Sequence, residues 1–411
     1  MIKPRMLVLS TFAAYPAVFG GQVRLWSIYS RLSRFFDVTI LAYDPHLTIR
    51  DERHFTPDLR VISLPLALDD RNLLLGAMDE TGLLTHDVQC AYRYALSDAF
   101  RAELYARAPA SDYLVCAHPY FAPRLANLPL PRPKAMVYDA VDCEIIAKQN
   151  YLKLDHPTCS ALKRETIGAE TLAYNGSDLV VACSFDDLAL LTSRYGPPPG
   201  LSAVVRNGTD ASTVRFYDVA QRRQNRAALG LAEIPTFCFL GSGYYANVES
   251  LRRIVPALQR TRTPMNLILI GDCASHAPES ASINLRILRV GRVSAGMKSL
   301  LLGSAHMALH LIFSGSGTTL KLIDYMASGL PVVGTALGFR GVPEAEDAFL
   351  EVPDEHALLG VLTQAMRDPS SLEARGHRMR AVAEQHFDWG IIATAYADKL
   401  RGHNPGNQRL T

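Results

Sequence analysis

The sequence predicts an α/β protein built from two doubly wound parallel sheets. Short apolar runs alternate with helical patterns along the whole chain, and this alternation is typical of strand–helix–strand units. The runs are too numerous for one sheet of ordinary size. The 411 residues also suffice for two domains of about 200 residues, each with its own core.

The predicted strands occur in both halves of the chain. They are residues 6–10, 38–42, 61–64, 113–117, 135–139, 179–182 and 203–205 in the first half, and 236–240, 266–270, 285–288, 307–311, 331–334 and 349–352 in the second. After the predicted strand at 203–205, an Asn207–Gly208 turn is followed by a charged segment, and this change predicts a domain boundary. We therefore expect an N-terminal domain at 1–208, a C-terminal domain at 209–385, and a terminal helix with a tail at 386–411.

Composition narrows the class of protein. Apolar residues make up 48% and charged residues 20% of the chain, and the net charge is only +2 with no long basic block, which argues against nucleic-acid binding. Seven cysteines without a C-x-x-C pair are typical of core thiols in a reducing compartment. No apolar run approaches the roughly 20 residues needed to span a bilayer, and no signal peptide precedes the first predicted strand. These features predict a cytoplasmic protein.

The most informative segment is FSGSGTTLKLIDYMASGLPVVGTALGFRG, residues 313–341. Its glycine-rich start leads into a helical pattern from Leu320, and a helix N-terminus offers unpaired N–H groups and a positive dipole end to phosphate. Lys321 and Asp324 lie one turn apart on this predicted helix. A cation near the phosphates and a carboxylate near a ribose diol would suit a nucleoside diphosphate.

Within this segment, GSGTTLKLIDYMASGLPVVGT resembles the donor-binding segment of family-4-type retaining glycosyltransferases. The resemblance implies the GT-B fold, in which two Rossmann-like doubly wound domains face a central cleft. Asp324 stands where the family has the second of two glutamates. Ser316 stands where it has the first, which is associated with contacts to the donor sugar. A subset of the family carries GSGT-x-LK here, as this chain does.

The resemblance implies further donor contacts in the second domain. FLGSGYYAN lacks the Arg or Lys that the family often places after this strand, which leaves Lys321 as the main cation and Arg340 as the second. Gly241 can equally belong to an ordinary turn, and the G-R-V stretch to an ordinary loop. The full predicted donor set is Gly241, Arg292, Val293, Ser316, Gly317, Thr318, Thr319, Lys321 and Asp324.

In the first domain, Gly20–Gly21 resembles the glycine loop with which the family approaches both phosphate and acceptor. Adjacent glycines can also simply end a loop. The following helix carries Arg24, Arg31 and Arg34. A basic face of this kind can rest on anionic lipid, so peripheral contact with the inner face of a membrane is one alternative. Packing of the helix on its own sheet is the other.

His118 and Glu144 are the predicted catalytic residues. His118 ends a predicted strand, and the resemblance places it near a histidine that the family holds close to the donor sugar; a turn histidine before proline is the alternative. Asp139, Asp142 and Glu144 follow the next strand. A carboxylate there can orient or deprotonate an acceptor hydroxyl, or it can cap the next helix.

Motifs for other chemistries are absent from the sequence. There is no phosphate-binding P-loop, nucleophile elbow, H-E-x-x-H pair, paired Cys/His zinc spacing or D-x-D, so we expect neither a required metal nor a cofactor. The resemblance implies a retaining glycosyltransferase that moves a sugar from a nucleotide-diphosphate sugar to a glycan, lipid-linked or small-molecule acceptor. A nucleotide-sugar epimerase and a non-catalytic sugar-nucleotide-binding subunit remain as alternatives.

Overall fold

The computed structural model describes residues 2–127, 133–152, 155–315 and 317–402. The chain divides into two compact units. Unit 1 is Met1–Arg206 with Ile392–Thr411, and unit 2 is Asn207–Ile391. The boundaries between the units therefore lie after residues 206 and 391. The sequence analysis had predicted them after residues 208 and 385.

Unit 1 is built around an eight-stranded sheet of order β3-β4-β2-β1-β5-β6-β7-β8, parallel except for the β3–β4 pair. Its strands are β1 (Arg5–Ser10), β2 (Asp37–Asp44), β3 (Asp51–Thr56), β4 (Leu59–Pro65), β5 (Tyr113–Ala117), β6 (Ala135–Ala140), β7 (Leu179–Ala182) and β8 (Leu201–Val204). Its helices are α1 (Gly20–Leu32), α2 (Leu68–Thr81), α3 (His86–Tyr92), α4 (Asp98–Arg107), α5 (Ala122–Ala126), α6 (Glu144–Tyr151), α7 (Pro157–Gly176) and α8 (Phe185–Tyr195). Short 3₁₀-helical turns cover Ala108–Ala110 and Pro119–Phe121.

Every predicted strand of the first half is confirmed, but β3 was missed. Its sequence is DERHFT, and most of its residues are exposed. Charged side chains suit a strand at the edge of a sheet because they oppose pairing with other chains. Such a strand lacks the apolar pattern on which the sequence prediction relied.

Unit 2 contains a six-stranded parallel sheet of order β11-β10-β9-β12-β13-β14, and its predicted strands are all confirmed. The strands are β9 (Thr236–Leu240), β10 (Met265–Ile270), β11 (Leu285–Gly291), β12 (Met307–His310), β13 (Val332–Gly334) and β14 (Leu350–Glu351). The helices are α9 (Val219–Ala228), α10 (Tyr245–Leu258), α11 (Ala295–Leu302), α12 (Leu320–Ala327), α13 (Ala336–Phe339), α14 (Leu358–Ala365), α15 (Pro369–His386) and α16 (Trp389–Gly402), which continues into unit 1. Short 3₁₀-helical turns cover Asp272–His276 and Pro343–Ala348.

Each sheet has a point where neighbouring strands lead in opposite directions. In unit 1 the chain leaves β1 for β2 and leaves β5 for β6, although β1 and β5 are neighbours. In unit 2 the neighbours β9 and β12 lead to β10 and to β13. Ligands of doubly wound sheets bind beyond the carboxyl ends of the strands at such a switch point. Each unit therefore has one expected place for a ligand, at the switch point of its own sheet.

Candidate functional site

At the switch point of unit 2, a hydrogen bond joins the first turns of two helices. The Lys321 Nζ of α12 donates to the Asn247 Oδ1 of α10 over 2.5 Å, and Asn247 Nδ2 donates to the Ser242 carbonyl over 3.0 Å. Gly241 allows this approach, because a Cβ there would lie 3.0 Å from Asn247 Cγ. The structure thus brings Gly241 and Lys321 together through Asn247, a residue to which the sequence analysis assigned no role.

Lys321 is a buried cation without a carboxylate neighbour in the described part of the chain. The residue is 9% exposed, and its Nζ lies 4.4 Å from the centroid of the Phe239 ring. Burial lowers the pKa of its ammonium group from 10.5 to about 7, opposed only by the Cys273 thiol. A buried ammonium group is costly unless an opposite charge accompanies it. The position therefore suits an anionic ligand.

The loop that leads into α12 depends on glycine and is held by Arg340. Gly315 and Gly317 have φ values of +110° and +76°, a region of backbone conformation that other residues rarely adopt. The Arg340 guanidinium donates to the Gly317 carbonyl over 2.5 Å and to the Gly315 carbonyl over 2.7 Å. Arg340, predicted as a second cation for the ligand, therefore stabilises the loop backbone. Ser316 lies outside the described residues.

Three buried polar atoms around this loop have no hydrogen-bond partner within the described residues. They are Thr318 Oγ1, Tyr245 Oη and His310 Nδ1. The other ring nitrogen of His310 lies 2.9 Å from Thr319 Oγ1, and burial, with Lys321 nearby, holds the pKa of this imidazole well below its usual value. Buried polar atoms without partners are uncommon in proteins and indicate strain or function. Here they occur at a switch point.

Asp324 lies on α12, one turn beyond Lys321, and both of its carboxylate oxygens have partners. Lys298 Nζ of α11 lies 2.8 Å from Oδ2, and Thr209 Oγ1 donates to Oδ1 over 3.1 Å. Its side chain is 21% exposed. The sequence analysis did not identify Lys298, because no local pattern links it to Asp324.

Arg292 is engaged with Asp272. Its guanidinium forms a bidentate pair with that carboxylate, with a closest N–O distance of 2.6 Å, and the Arg292 side chain is 69% exposed. The pairing raises the pKa of Arg292 and lowers the pKa of Asp272. Val293, next in the chain, is partly buried against the core of unit 2. Arg292 and Val293, both predicted to contact the donor, thus follow β11. Lys321 and the glycine loop lie instead beyond the ends of β9 and β12.

At the switch point of unit 1, the ring of Phe12 connects the predicted glycine loop to the predicted histidine. Gly20 and Gly21 begin α1, and a Cβ on Gly21 would lie 3.1 Å from Phe12 Cζ. The His118 ring contacts Phe12 edge to face, with centroids 5.4 Å apart. The structure therefore brings Gly21 and His118 to the same aromatic ring.

His118 lies beside Glu144, the other residue predicted to be catalytic. Its φ is +72°, an uncommon and strained value for a residue other than glycine. His118 Nε2 is 3.7 Å from Glu144 Oε1, and the Tyr120 hydroxyl donates to Glu144 Oε2 over 2.6 Å. His118 Nδ1 is buried without a partner among the described residues. This cluster can hold a proton or orient a hydroxyl group.

Glu144 does not cap the following helix, so that alternative is wrong. It is the first residue of α6, whose N-cap Cys143 makes no side-chain bond. The Glu170 carboxylate accepts instead from the backbone N–H of Glu144 over 2.7 Å and from that of Ile145 over 3.3 Å. Burial raises the pKa of Glu170. Glu170 thus stabilises the helix, and the Glu144 side chain points to Tyr120 and His118.

Asp139 and Arg24 form a buried ion pair. Arg24 donates to Asp139 Oδ1 over 2.9 Å and to the Val205 carbonyl over 2.8 Å, and the Tyr29 hydroxyl donates to Asp139 Oδ2 over 2.7 Å. Arg24 and Asp139 are each 1% exposed. The prediction of a lipid-facing basic surface that includes Arg24 is therefore wrong, because its guanidinium neutralises a core carboxylate.

The described ranges contain neither a cluster of metal-ligand side chains nor a helix suited to span a membrane. No group of three or more His, Cys, Asp or Glu side chains there is arranged to hold a metal ion. Among the helices described, none combines the length and the apolar character that crossing a bilayer would require.

Comparisons with known proteins agree with the geometry. The family model described as "Glycosyl transferases group 1" matches residues 234–368, which include β9, α10, α12 and the loop before it. A glycogen synthase from Mycobacterium tuberculosis is 26% identical over 263 residues. That alignment spans 61% of this chain and 61% of the synthase, so the chain matches less than two thirds of its relative's length.

Solved structures match nearly the whole chain. Sucrose-phosphate synthase from Thermosynechococcus elongatus has a TM-score of 0.74 and 17% identity, covering 97% of this chain and 98% of that one. HepE from Anabaena, solved with UDP-glucose, has a TM-score of 0.66 and 16% identity, covering 97% and 100%. WaaG, a glycosyltransferase involved in lipopolysaccharide biosynthesis, has a TM-score of 0.63 and 16% identity, covering 97% and 100%. The chain therefore has the GT-B fold of these glycosyltransferases, and its residues 234–368 match the group 1 glycosyl transferase family model.

Proposed function

We propose that the protein transfers a sugar from a nucleoside diphosphate sugar to an acceptor hydroxyl, with retention of anomeric configuration and without a metal. One observation carries the proposal. Lys321 is a buried ammonium group at a switch point, between the N-terminal turns of two helices, with no carboxylate neighbour in the described part of unit 2. A diphosphate supplies the negative charge that this position lacks.

The donor is proposed to be a uridine diphosphate sugar. Support comes from HepE, which was solved with UDP and with UDP-glucose. Bond cleavage leaves negative charge on the departing diphosphate, and Lys321 with the two helix N-termini would stabilise that charge as it develops. Thr318 Oγ1, buried without a partner in the described loop, would donate to the same group. Asp324, held by Lys298, would accept from the ribose hydroxyls.

In unit 1, His118 and Glu144 are proposed to handle the sugar and the acceptor. An imidazole can donate a hydrogen bond to a sugar hydroxyl, and a carboxylate can orient the attacking hydroxyl. Retention would follow from attack on the face that the diphosphate leaves, with the leaving phosphate taking the acceptor proton. The acceptor would be a glycan, a lipid-linked sugar or a small molecule.

The test begins with calorimetry of the purified protein, in the absence of divalent metal, against UDP, GDP, ADP and their glucose conjugates. We expect one nucleotide to bind selectively and Asp324→Ala to weaken it. The donor so identified is then incubated with candidate acceptors, and the anomeric configuration of the product is read by NMR. A wild-type protein that binds none of these nucleotides would remove the basis of the proposal, and an inverted product would refute retention.

A second candidate function, sugar-nucleotide binding without turnover, is favoured by FLGSGYYAN, which lacks the Arg or Lys that the resembled family often places after this strand. It predicts nucleotide affinity with no product on any acceptor. An epimerase predicts free or isomerised sugar without an acceptor. The same incubations distinguish all three, because a transferase leaves a glycosylated acceptor, an epimerase leaves free or isomerised sugar, and a binding subunit leaves no product.

A further inference from the structure

We infer that Tyr245 and Glu249 bind the sugar half of the donor and thereby help to select it. Both residues lie on α10, one helical turn apart, so their side chains share one face of the helix. That face meets residues 313–315, the beginning of the loop that leads to Lys321. This inference rests on the proposed donor site of unit 2 and adds the residues that would read the transferred group.

Tyr245 presents a hydroxyl that no described residue pairs with. Its Oη is buried and has no hydrogen-bond partner among the described residues. A Cβ on Gly315 would lie 3.9 Å from this oxygen, so glycine leaves open space beside it. A buried hydroxyl without a partner reduces stability, and a phenylalanine at this position would avoid that loss. A ligand hydroxyl reaching the oxygen past Gly315 would supply the partner.

Glu249 holds the loop from the same side. Its Oε2 accepts from Ser314 Oγ over 2.6 Å. Arg253, one turn further along α10, lies over the Phe313 ring at 3.5 Å and pairs with Glu355 over 2.7 Å. The loop backbone is therefore anchored at Phe313 and Ser314. This anchoring keeps the Glu249 carboxylate beside the glycines.

The chemistry of the two side chains favours the sugar over the diphosphate. A carboxylate repels phosphate but accepts strong hydrogen bonds from hydroxyl groups, and a phenol can both donate and accept. Lys321 bonds to Asn247 rather than to either of these side chains. Asn247 is two residues from both Tyr245 and Glu249, so its side chain points to another face of α10. The anionic half of the donor would thus lie at Lys321 and the hydroxyl-bearing half at Tyr245 and Glu249.

The experiment compares the affinities for UDP and UDP-glucose in three variants by calorimetry. Tyr245→Phe removes one oxygen and keeps the ring, and Glu249→Gln keeps the shape and an acceptor for Ser314. We expect the affinity for UDP-glucose to fall about fivefold in the first and about tenfold in the second, with the affinity for UDP unchanged in both. Tyr244→Phe is the matched control, because Tyr244 is 45% exposed.

Each other result would overturn the inference. Equal losses for UDP and UDP-glucose would make the two residues phosphate contacts, and unchanged affinities for both would make them parts of the loop's support. If Tyr245→Phe fails to fold, as judged by its melting temperature, Glu249→Gln carries the same comparison. A wild-type protein that binds neither ligand would instead contradict the proposed function, which keeps the two failures distinguishable.

Discussion

In unit 1, the cations Arg24 and Lys148 have carboxylate partners within the same unit, whereas Lys321 in unit 2 has none in the described part of the chain. Arg24 neutralises Asp139 over 2.9 Å, and Lys148 pairs with Asp87. Among the described residues, Lys321 has the neutral Asn247, the Phe239 ring and a thiol nearby. Under the proposed function, these paired charges of unit 1 maintain the fold, while the charge of Lys321 serves a ligand. Substitutions can separate the two roles.

The largest effect is expected from Arg24→Met. It leaves the Asp139 carboxylate buried without its cation, and breaking a buried pair in this way costs about 3–5 kcal/mol. We expect the urea midpoint of the variant to fall accordingly. Arg31→Met is the matched control on the same helix, because Arg31 is only partly buried. Equal, small shifts of the urea midpoint in both variants would show that Arg24 does not stabilise the buried Asp139 carboxylate. The contrast drawn between the two units would then be wrong.

The next effect concerns Lys321→Met. Removing the only buried cation assigned to the diphosphate should weaken UDP binding about 100-fold, equivalent to about 2.7 kcal/mol. Calorimetry measures this change, with the exposed Lys399→Met as control. Unchanged affinity in the Lys321 variant would remove this lysine from the ligand site.

The same variant should be more stable than the wild type at pH 6. The folded pKa of Lys321, about 7, lies below its ordinary value of 10.5, so the unfolded state binds more protons between these values. The free energy of unfolding of the wild type therefore rises with pH across this window, and below it the buried charge is fully unfavourable. Urea unfolding at pH 6 and pH 9 should show the advantage of the variant at pH 6 decreasing toward pH 9. A constant difference would contradict the lowered pKa.

A smaller effect is expected when pH alone is changed. Phosphate binding favours the protonated form of Lys321, and with its pKa at about 7 the affinity for UDP should fall about fivefold from pH 7 to pH 8. Titrations in two buffers of different ionisation enthalpy should show proton uptake on binding, close to one proton per UDP at pH 8. Lys321→Met should show no such uptake. Uptake that persists in the variant would assign the proton to another group.

The smallest effect is expected from Lys298→Met. Its pair with Asp324 is partly exposed, with side-chain exposures of 36% and 21%, and such pairs contribute about 0–1 kcal/mol. We expect UDP affinity to change no more than about threefold. Lys3→Met, which removes a partly exposed ion pair of unit 1, should not change it at all. A loss as large as that of Lys321→Met would mean that Lys298 itself holds the ligand.

Much of the fold followed from local sequence patterns. The apolar runs predicted every strand except β3, because buried parallel strands are marked by their own composition whereas a charged edge strand is not. Lys321 was identified for the same reason, since the glycines, the helix start and the lysine are adjacent in sequence.

Contacts between distant segments could not be read from the sequence. Asn247 and Lys321 are 74 residues apart, and Arg24 and Asp139 are 115 apart, so no local pattern indicates either pair. For the helix of Arg24, membrane contact and packing on the sheet both stayed open, because the sequence shows the charge but not the carboxylate that faces it. The contacts of Arg340 were equally hidden, since its acceptors are backbone carbonyls.

Unit 1 is assembled from two stretches of sequence that are separated by the whole of unit 2. Tyr396 and Leu400 of α16 are fully buried, and the Leu400 carbonyl accepts from the Tyr113 hydroxyl over 2.9 Å. Because ribosomes build the chain from its N-terminus, at about 5–20 residues per second, all of unit 2 is synthesised before these side chains. Unit 2 can fold as one uninterrupted segment, while unit 1, although translated first, is completed last. A chain whose translation stops after α15 would lack α16, so the core of unit 1 would be incomplete even though most of that unit is translated first.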